Sequence, residues 1–311
     1  MYSLPLDADA TVVHRADWIE VQMAADSAPG LSIDEVTDYW RDAPSDLSSD
    51  EELSADQGKW SKTREDAEDA FREIAWRATW LGERYPIRFE ESEVVTWNEK
   101  SSGDQLYRFL VLLRAKQMIG SDLDGGTVNP GYLFEEIVTL ATDAYLAGGQ
   151  AVRFGVAGGH RGGGLPSDLR DAVIELARRM EEEPAGSVGG TGDYRADVVA
   201  WHPFGDKRPG QLIVLSSATI AEREWQTKEI PRRWTDGRGR LIRFVASPMS
   251  AVAFVETMSL YPPDFWKGAT FDSVPFDRLR IVSVIADSNI DHSILLGTKE
   301  WTDWAISKLP S

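Results

Sequence analysis

The stretch GDYRADVVAWHPFGDKRPGQLIVLSSATIAEREWQTK, residues 192–228, decides the fold of this chain. Two runs rich in apolar and β-branched residues lie within it, and the polar segment HPFGDKRPG separates them. Short runs of this kind, bounded by glycine, proline and aspartate, indicate two strands joined by a turn. The sequence therefore predicts a β-hairpin over residues 195–218, with Asp197 in its first strand and the residues SSAT (216–219) at the end of its second.

Asp197 is the most informative residue of this hairpin. Alternation along a strand would place it on the same face as Val199 and Trp201. A carboxylate among apolar neighbours is costly unless it is paired or binds a cation. One interpretation is a ligand of Mg²⁺ that activates water beside a scissile phosphate. The other is an acid that caps a turn or pairs with an arginine such as Arg195, and the residues themselves leave both open.

Amphipathic helices and apolar strands alternate around the hairpin. This interleaving predicts an α/β (α+β) fold with a mixed central sheet that is flanked by helices on both faces. At the start of one helix, Asn129 is a suitable N-cap and Pro130 suits the first turn. The predicted elements are helices over 104–119, 129–149, 167–182, 250–260 and 299–309, and strands over 151–156, 241–247 and 279–286.

The N-terminal third of the chain has a different composition. Residues 41–60 are rich in Asp, Ser and Glu, which predicts a solvated loop or partly disordered segment. Apolar residues at helical spacing predict a helix over 62–83, and PIRFEESEVVTW (86–97) predicts one or two strands. We therefore divide the chain into an acidic N-terminal α+β lobe, residues 1–104, and a second domain, residues 105–311.

The composition excludes several functional classes. The chain has no cysteine, so disulfides, thiolate catalysis and cysteine-based zinc sites are excluded. No apolar run reaches the roughly 18 residues of a membrane helix, and the N-terminus lacks a signal-peptide pattern, so we expect a cytoplasmic protein without membrane contacts. The net charge is −18, and residues 33–69 contribute −9 of it. This charge weakens a nucleic-acid-binding interpretation without excluding it.

Two further segments offer candidate site residues. Glu135 and Glu136 lie near the start of the 129–149 helix, where the helix dipole favours acids; alternatively, Glu135 projects beside Asp197. The loop AGGHRGGG (157–164) lacks the order of a phosphate-binding loop, so it is either a plain connection or a mobile loop whose Arg161 contacts a phosphate. The four histidines are scattered, and their spacing does not predict a zinc site.

LFEEIV (133–138), VRFG (152–155), the hairpin quoted above and EWQTK (224–228) together resemble the restriction-endonuclease-like, PD-(D/E)XK superfamily. More narrowly, they resemble its bacterial, defence-associated members. The resemblance covers about residues 105–290. It implies a mixed four-stranded sheet flanked by helices. It also implies a helix glutamate, a strand aspartate and a following E/Q-x-K that gather Mg²⁺ for phosphodiester hydrolysis.

Position by position, the resemblance assigns Glu135 to the helix acid and Asp197 to the strand acid, the two expected metal ligands. Ser217 stands where the family has Glu or Gln, and Thr219 stands where it has lysine. Serine is a weaker ligand for Mg²⁺ than a carboxylate, and threonine supplies no positive charge to a developing oxyanion. The second half of the motif is therefore degenerate.

Residues downstream of the hairpin offer replacements for the missing groups. Lys228 is a candidate for the lysine, and Glu222 or Glu224 for the acid, although Lys228 also suits a solvated helix position. The resemblance implies a nuclease-like protein that acts on DNA in prokaryotic antiviral defence or restriction, with Mg²⁺ or Mn²⁺ as cofactor and other defence proteins as partners. The alternative is a catalytically inactive nuclease-fold scaffold, sensor or DNA-positioning subunit.

Overall fold

The computed structural model divides the chain into two compact units. The first contains Met1–Leu123, Thr257–Ser259 and Thr302–Ser311, and the second contains Asp124–Glu256 and Leu260–Trp301. The structure describes residues 2, 4, 6, 10–25, 30–42, 52–90, 93–119, 123, 128–156, 160–185, 195–221, 234–235, 240–258, 273–285 and 290–310, and the elements and contacts reported are those of these residues.

The first unit combines four helices with a small antiparallel sheet. The strands lie side by side in the order β1-β3-β2. This sheet confirms the strands predicted over 86–97. The elements are helices α1 (Val12–Ala24), α2 (Ile33–Asp42), α3 (Glu52–Leu81) and α4 (Asp104–Ile119), and strands β1 (Leu31–Ser32), β2 (Ile87–Glu90) and β3 (Val94–Trp97).

Helix α3 confirms the helix predicted over 62–83 and corrects the segment before it. Helix α2 ends at Asp42 and helix α3 begins at Glu52, so the loop predicted over 41–60 is wrong for residues 41–42 and 52–60, and residues 43–51 lie outside the described part of the chain. The segment ELSADQGKW contains several good helix formers. Extending an established helix costs far less than nucleating a new one, so a polar segment can continue a helix whose later turns are packed.

The division into units differs from the boundary drawn at residue 104. Helix α4, with which the second domain was to begin, lies in the first unit and packs against α1. Its apolar residues Phe109, Leu110 and Leu113 are fully buried. The chain passes to the second unit after Leu123.

The second unit is built on a five-stranded mixed sheet with the order β10-β9-β7-β6-β4. Strands β4, β6 and β7 pair antiparallel, while β7, β9 and β10 run parallel. The predicted hairpin is confirmed as the β6–β7 pair, and the mixed α/β class is confirmed with it. The strands are β4 (Gln150–Arg153), β5 (Glu183–Pro184), β6 (Val198–His202), β7 (Leu212–Thr219), β8 (Ile242–Arg243), β9 (Met249–Phe254) and β10 (Ser273–Phe276).

Helices pack on both faces of this sheet. Strand register aligns Val152, Val199 and Leu215 on one face, where they join an apolar cluster with residues of α6 (Leu169–Arg179). The opposite face carries Arg153, which contacts acidic side chains of α5 (Pro130–Tyr145). Asn129 caps α5 as predicted, because its side chain accepts hydrogen bonds from the first two free N–H groups that follow it.

Two of the predicted elements are wrong in type. The helix predicted over 250–260 is strand β9, which lies between two parallel neighbours. A strand buried on both faces loses the apolar–polar alternation that identifies strands, so AVAFV could not be distinguished from a buried helix. The strand predicted over 279–286 is helix α7 (Arg278–Ile285), and Asp277 begins it by accepting a hydrogen bond from Arg280 N–H.

Other boundaries shift. The strand predicted over 241–247 is confirmed only at β8, which pairs with β5 in a separate two-stranded sheet. The last helix, α8 (His292–Ile306), begins seven residues before its predicted start at residue 299. Within the described residues, no helix has both the length and the apolarity needed to cross a bilayer.

Candidate functional site

Asp197 directly precedes β6, at a point where the regular strand pairing is interrupted. Its carbonyl oxygen accepts hydrogen bonds from both Phe154 N–H, at 2.7 Å, and Gly155 N–H, at 2.9 Å. Two consecutive N–H groups on one carbonyl form the hydrogen-bond pattern of a β-bulge. Bulges are frequent beside functional sites because they redirect side chains out of the regular alternation. The backbone around Asp197 is therefore shaped differently from the rest of the sheet.

The carboxylate of Asp197 is bound by the end of β7. Its Oδ2 lies 3.1 Å from Ser217 Oγ and 2.7 Å from Ala218 N. Ser217 is fully buried, and its hydroxyl donates to the carboxylate. The structure thus brings Asp197 and Ser217 together, with Ser217 as a neutral hydrogen-bond donor.

Glu135 reaches the same bulge from helix α5. A Cβ atom on Gly155 would lie 2.6 Å from Glu135 Oε2, so glycine at position 155 leaves room for this carboxylate, and a larger residue there would displace the end of the Glu135 side chain. Gly155 in turn donates its N–H to Asp197. Gly155 therefore lies against the side chain of Glu135 and is hydrogen-bonded to the backbone of Asp197. The first turn of α5 contains no acid, so the helix dipole does not explain Glu135.

Arg153 is a site residue that the sequence analysis did not select. Its Nε lies 2.8 Å from Glu136 Oε1, and its Nη1 lies 3.4 Å from Glu135 Oε2. The same guanidinium donates to the carbonyl oxygens of Gly155, at 3.0 Å, and His160, at 2.8 Å. Only 2% of its side chain is exposed. Arg153 thus places one positive charge against two acids and fixes the loop that follows β4.

The sequence did contain a signal for Arg153. A charged residue in the apolar strand AVRF requires a buried counter-charge, and the nearest acidic pair upstream is Glu135-Glu136. The guanidinium also lies over the ring of Tyr132, with Cζ 4.3 Å from the ring centroid. Burial, and then the charge of Glu136, raise the pKa of Tyr132, which keeps this phenol neutral beside the acids.

The remaining predicted residues have different surroundings. Arg161 is buried, its Nη1 donates to Phe154 O, and its guanidinium lies over the Phe154 ring with Cζ at 4.3 Å from the centroid. These contacts hold Arg161 against the chain rather than presenting it to a phosphate. Thr219 is also buried, and its Oγ1 accepts a hydrogen bond from Ala221 N–H at 3.3 Å. Lys228, Glu222 and Glu224 lie outside the described residues.

Across the described residues, no group of three or more His, Cys, Asp or Glu side chains could hold a metal ion. Mg²⁺ retains several waters and is commonly bound by only one or two carboxylates with phosphate oxygens of a substrate. Glu135 and Asp197 fit that chemistry as a donor set, whereas zinc would need nitrogen or sulfur ligands as well.

Comparisons with family models, with curated proteins and with solved structures give no match for this chain.

Proposed function

We propose that the second unit is a nuclease-like domain that acts on DNA in prokaryotic antiviral defence or restriction. Glu135 and Asp197 are the proposed ligands of a Mg²⁺ or Mn²⁺ ion, which would activate water and neutralise charge at the scissile phosphate. Lys228 is the proposed source of the positive charge that Thr219 does not supply. The fold type proposed for this domain is the restriction-endonuclease-like one, and the mixed sheet with helices on both faces supports it.

The meeting of Glu135 and Asp197 at Gly155 is the observation that carries this proposal. The two acids are separated by 61 residues of sequence, and the sequence motif pairs them before any geometry is known. The bulge and the glycine then allow the helix acid to approach the strand acid's backbone closely. Glycine at position 155 leaves the space that the Glu135 carboxylate occupies beside this backbone.

Cleavage of supercoiled plasmid with Mg²⁺ or Mn²⁺ tests the proposal. The wild-type chain is expected to nick the plasmid, and Asp197→Ala is expected to abolish nicking. Glu175→Ala is the matched control, since Glu175 is an acid on α6 that pairs with Arg178 and Arg179. Equal cleavage by the wild type and Asp197→Ala would refute the assignment, as would the absence of cleavage with every metal tested.

A second candidate is a catalytically inactive scaffold, sensor or DNA-positioning subunit on the same fold. Two contacts favour it. Arg153 already places a positive charge against Glu135 and Glu136, and Ser217 and Ala218 already satisfy one oxygen of Asp197. In this role the acids would stabilise the bulge, and the protein would bind DNA or its partner proteins without hydrolysing a phosphodiester bond.

A further inference from the structure

The acidic charge of the chain is concentrated in the first unit. Met1–Leu123 contain 26 Asp and Glu and 13 Lys and Arg, a net charge of −13, whereas the whole chain carries −18. An asymmetry of this size indicates an interaction surface for a partner of opposite charge. Charge alone does not locate that surface, so a second feature of the same unit is needed.

Helix α3 presents two stacked tryptophans near its end. Trp76 and Trp80 are four residues apart and therefore share a face of the helix. Their rings are parallel, with an interplanar angle of 1° and centroids 6.3 Å apart. Trp80 is 46% exposed, and among the described residues of the first unit it is the one exposed large hydrophobic side chain. The half-exposed indole of Trp80, stacked on Trp76, offers an aromatic face to a partner.

A groove lies along the same helix, immediately before the tryptophans. It has a volume of 330 Å³, and its apolar lining includes Phe71, Ala75 and Phe89. Arg72, four residues before Trp76, also lines it, so the groove and the tryptophan pair are neighbours along α3, although neither tryptophan lines the groove. We call the groove and the tryptophan pair together the α3 surface.

The arginines of the α3 surface are balanced by acids of the same unit. Arg72 pairs with Asp69, and Arg64 pairs with Asp34 and Glu68. The lining also includes the exposed Glu93. The surface therefore offers aromatic faces and apolar area without excess positive charge, within a unit that is strongly negative.

We propose that the α3 surface binds an extended, basic segment of a partner protein. The helix rises about 18 Å between Glu68 and Trp80, which matches about five or six residues of extended chain. Guanidinium groups are attracted to the faces of indole rings, and proline-rich segments dock in aromatic-lined grooves. A segment rich in arginine and proline satisfies both the ring geometry and the charge.

Single-stranded nucleic acid also stacks on aromatic side chains, but it does not fit this surface. Binding of single strands depends on basic grooves that follow the phosphates. The net charge of −13 on Met1–Leu123 would repel phosphates, and the nearby arginines are already paired. The proposed partner is therefore a protein segment, and this inference is independent of the metal site in the second unit.

Fluorescence anisotropy of a labelled peptide of alternating arginine and proline, titrated with the full chain, tests this proposal. The peptide is expected to bind, and Trp80→Ala is expected to raise its dissociation constant about tenfold. Trp80→Phe retains an aromatic face and should recover part of the affinity. Raising the salt concentration should weaken binding, because the charge complementarity is screened.

Phe204→Ala is the matched control, since Phe204 is a 70% exposed aromatic side chain in the second unit. It should leave peptide affinity within about twofold of wild type. Circular dichroism should show that all three variants keep the helical content of the parent chain. The proposal is overturned if the wild type does not bind the peptide or if Trp80→Ala binds it as tightly as wild type. A labelled oligothymidine that binds more tightly through Trp80 would also overturn it.

Discussion

The cluster around Arg77 in the first unit and the cluster around Arg153 in the second both set carboxylates against a buried guanidinium. In the first, Arg77 Nη1 lies 2.8 Å from Asp17 and 2.9 Å from Glu20, and none of these side chains is exposed. In the second, the side chains of Glu135 and Glu136 keep exposures of 15% and 21%. The two clusters thus use similar ion pairs at very different depths.

The first cluster is also enclosed by additional donors. Glu20 Oε1 accepts the hydroxyls of Tyr85, at 2.5 Å, and Tyr107, at 2.7 Å, while Arg114 Nε lies 3.2 Å from Asp17 Oδ2. Burial raises the pKa of Tyr85 far above its ordinary value, so this phenol remains a donor. Such a network joins helices α1, α3 and α4 and serves the fold. The second cluster keeps part of each carboxylate exposed to solvent.

The largest expected effect comes from opening the enclosed cluster. Arg77→Ala would leave the acids around it buried without their shared counter-charge, which should lower the free energy of unfolding by about 3–5 kcal/mol. Urea denaturation measures this loss. Arg72→Ala, which removes an exposed arginine of the same helix, should change stability by less than about 0.5 kcal/mol. Similar losses in the two variants would contradict the structural role assigned to the Arg77 network.

An intermediate effect is expected in the open cluster. Arg153→Met should lower the free energy of unfolding by about 2–3 kcal/mol, because Glu135 and Glu136 would repel each other and two carbonyl oxygens would lose a donor. Because a bound cation stabilises the folded state, Mn²⁺ should restore part of this loss if these acids bind metal. Thermal unfolding with and without Mn²⁺ measures both quantities. A variant as stable as wild type would show that Arg153 is not the counter-charge.

A smaller loss of stability is expected for Ser217→Ala, and Ser216→Ala is its matched control. Ser217→Ala removes the hydroxyl that donates to Asp197 and should cost about 1 kcal/mol. Ser216 Oγ is buried and has no hydrogen-bond partner among the described residues, so Ser216→Ala should be neutral or stabilising. Urea denaturation of both variants distinguishes them. A larger loss for Ser216→Ala would reverse the assignment of the two serines.

The smallest effect concerns an ion pair on the surface. Hydrogen bonds from Arg178 and then Arg179 lower the pKa of Glu175 from 4.5 to about 2. A carboxyl with a lowered folded-state pKa stabilises the protein above its unfolded pKa, and this contribution is lost as pH falls through the folded value. Solvent screening keeps the gain small. NMR titration of the Glu175 carboxyl should give a midpoint near 2, whereas a midpoint near 4.5 would show that the pairs do not persist in solution.

Some elements of the fold have clear local signals in the sequence, and others do not. The hairpin over 195–218 was identified because turn residues separate two apolar runs, and α5 was identified because Asn129 and Pro130 mark its start. Strand β9 was assigned as a helix because central burial removes alternation. Helix α7 was assigned as a strand because LRIVSVIA is rich in β-branched and apolar residues, and the cap that Asp277 provides was not recognised.

The sequence identifies some residues of the candidate site but not the contacts between them. The family resemblance assigned Glu135, Asp197 and Ser217 to one site, and a hydrogen bond joins Ser217 to Asp197 in the structure. The bulge at Gly155 and the role of Arg153 depend on contacts between distant segments, which local patterns do not encode. The assignment of Lys228 as a catalytic residue stays a prediction, because it lies outside the described residues.

Calorimetric titration of the full chain with Mn²⁺ tests the central claim most directly. If Glu135 and Asp197 share a metal ion, the wild type should bind Mn²⁺, while the isosteric variants Asp197→Asn and Glu135→Gln should each abolish the binding. Glu175→Gln should bind as wild type does. Equal binding by the wild type and Asp197→Asn, or no binding by the wild type, would contradict the claim, and the latter result would favour the inactive scaffold.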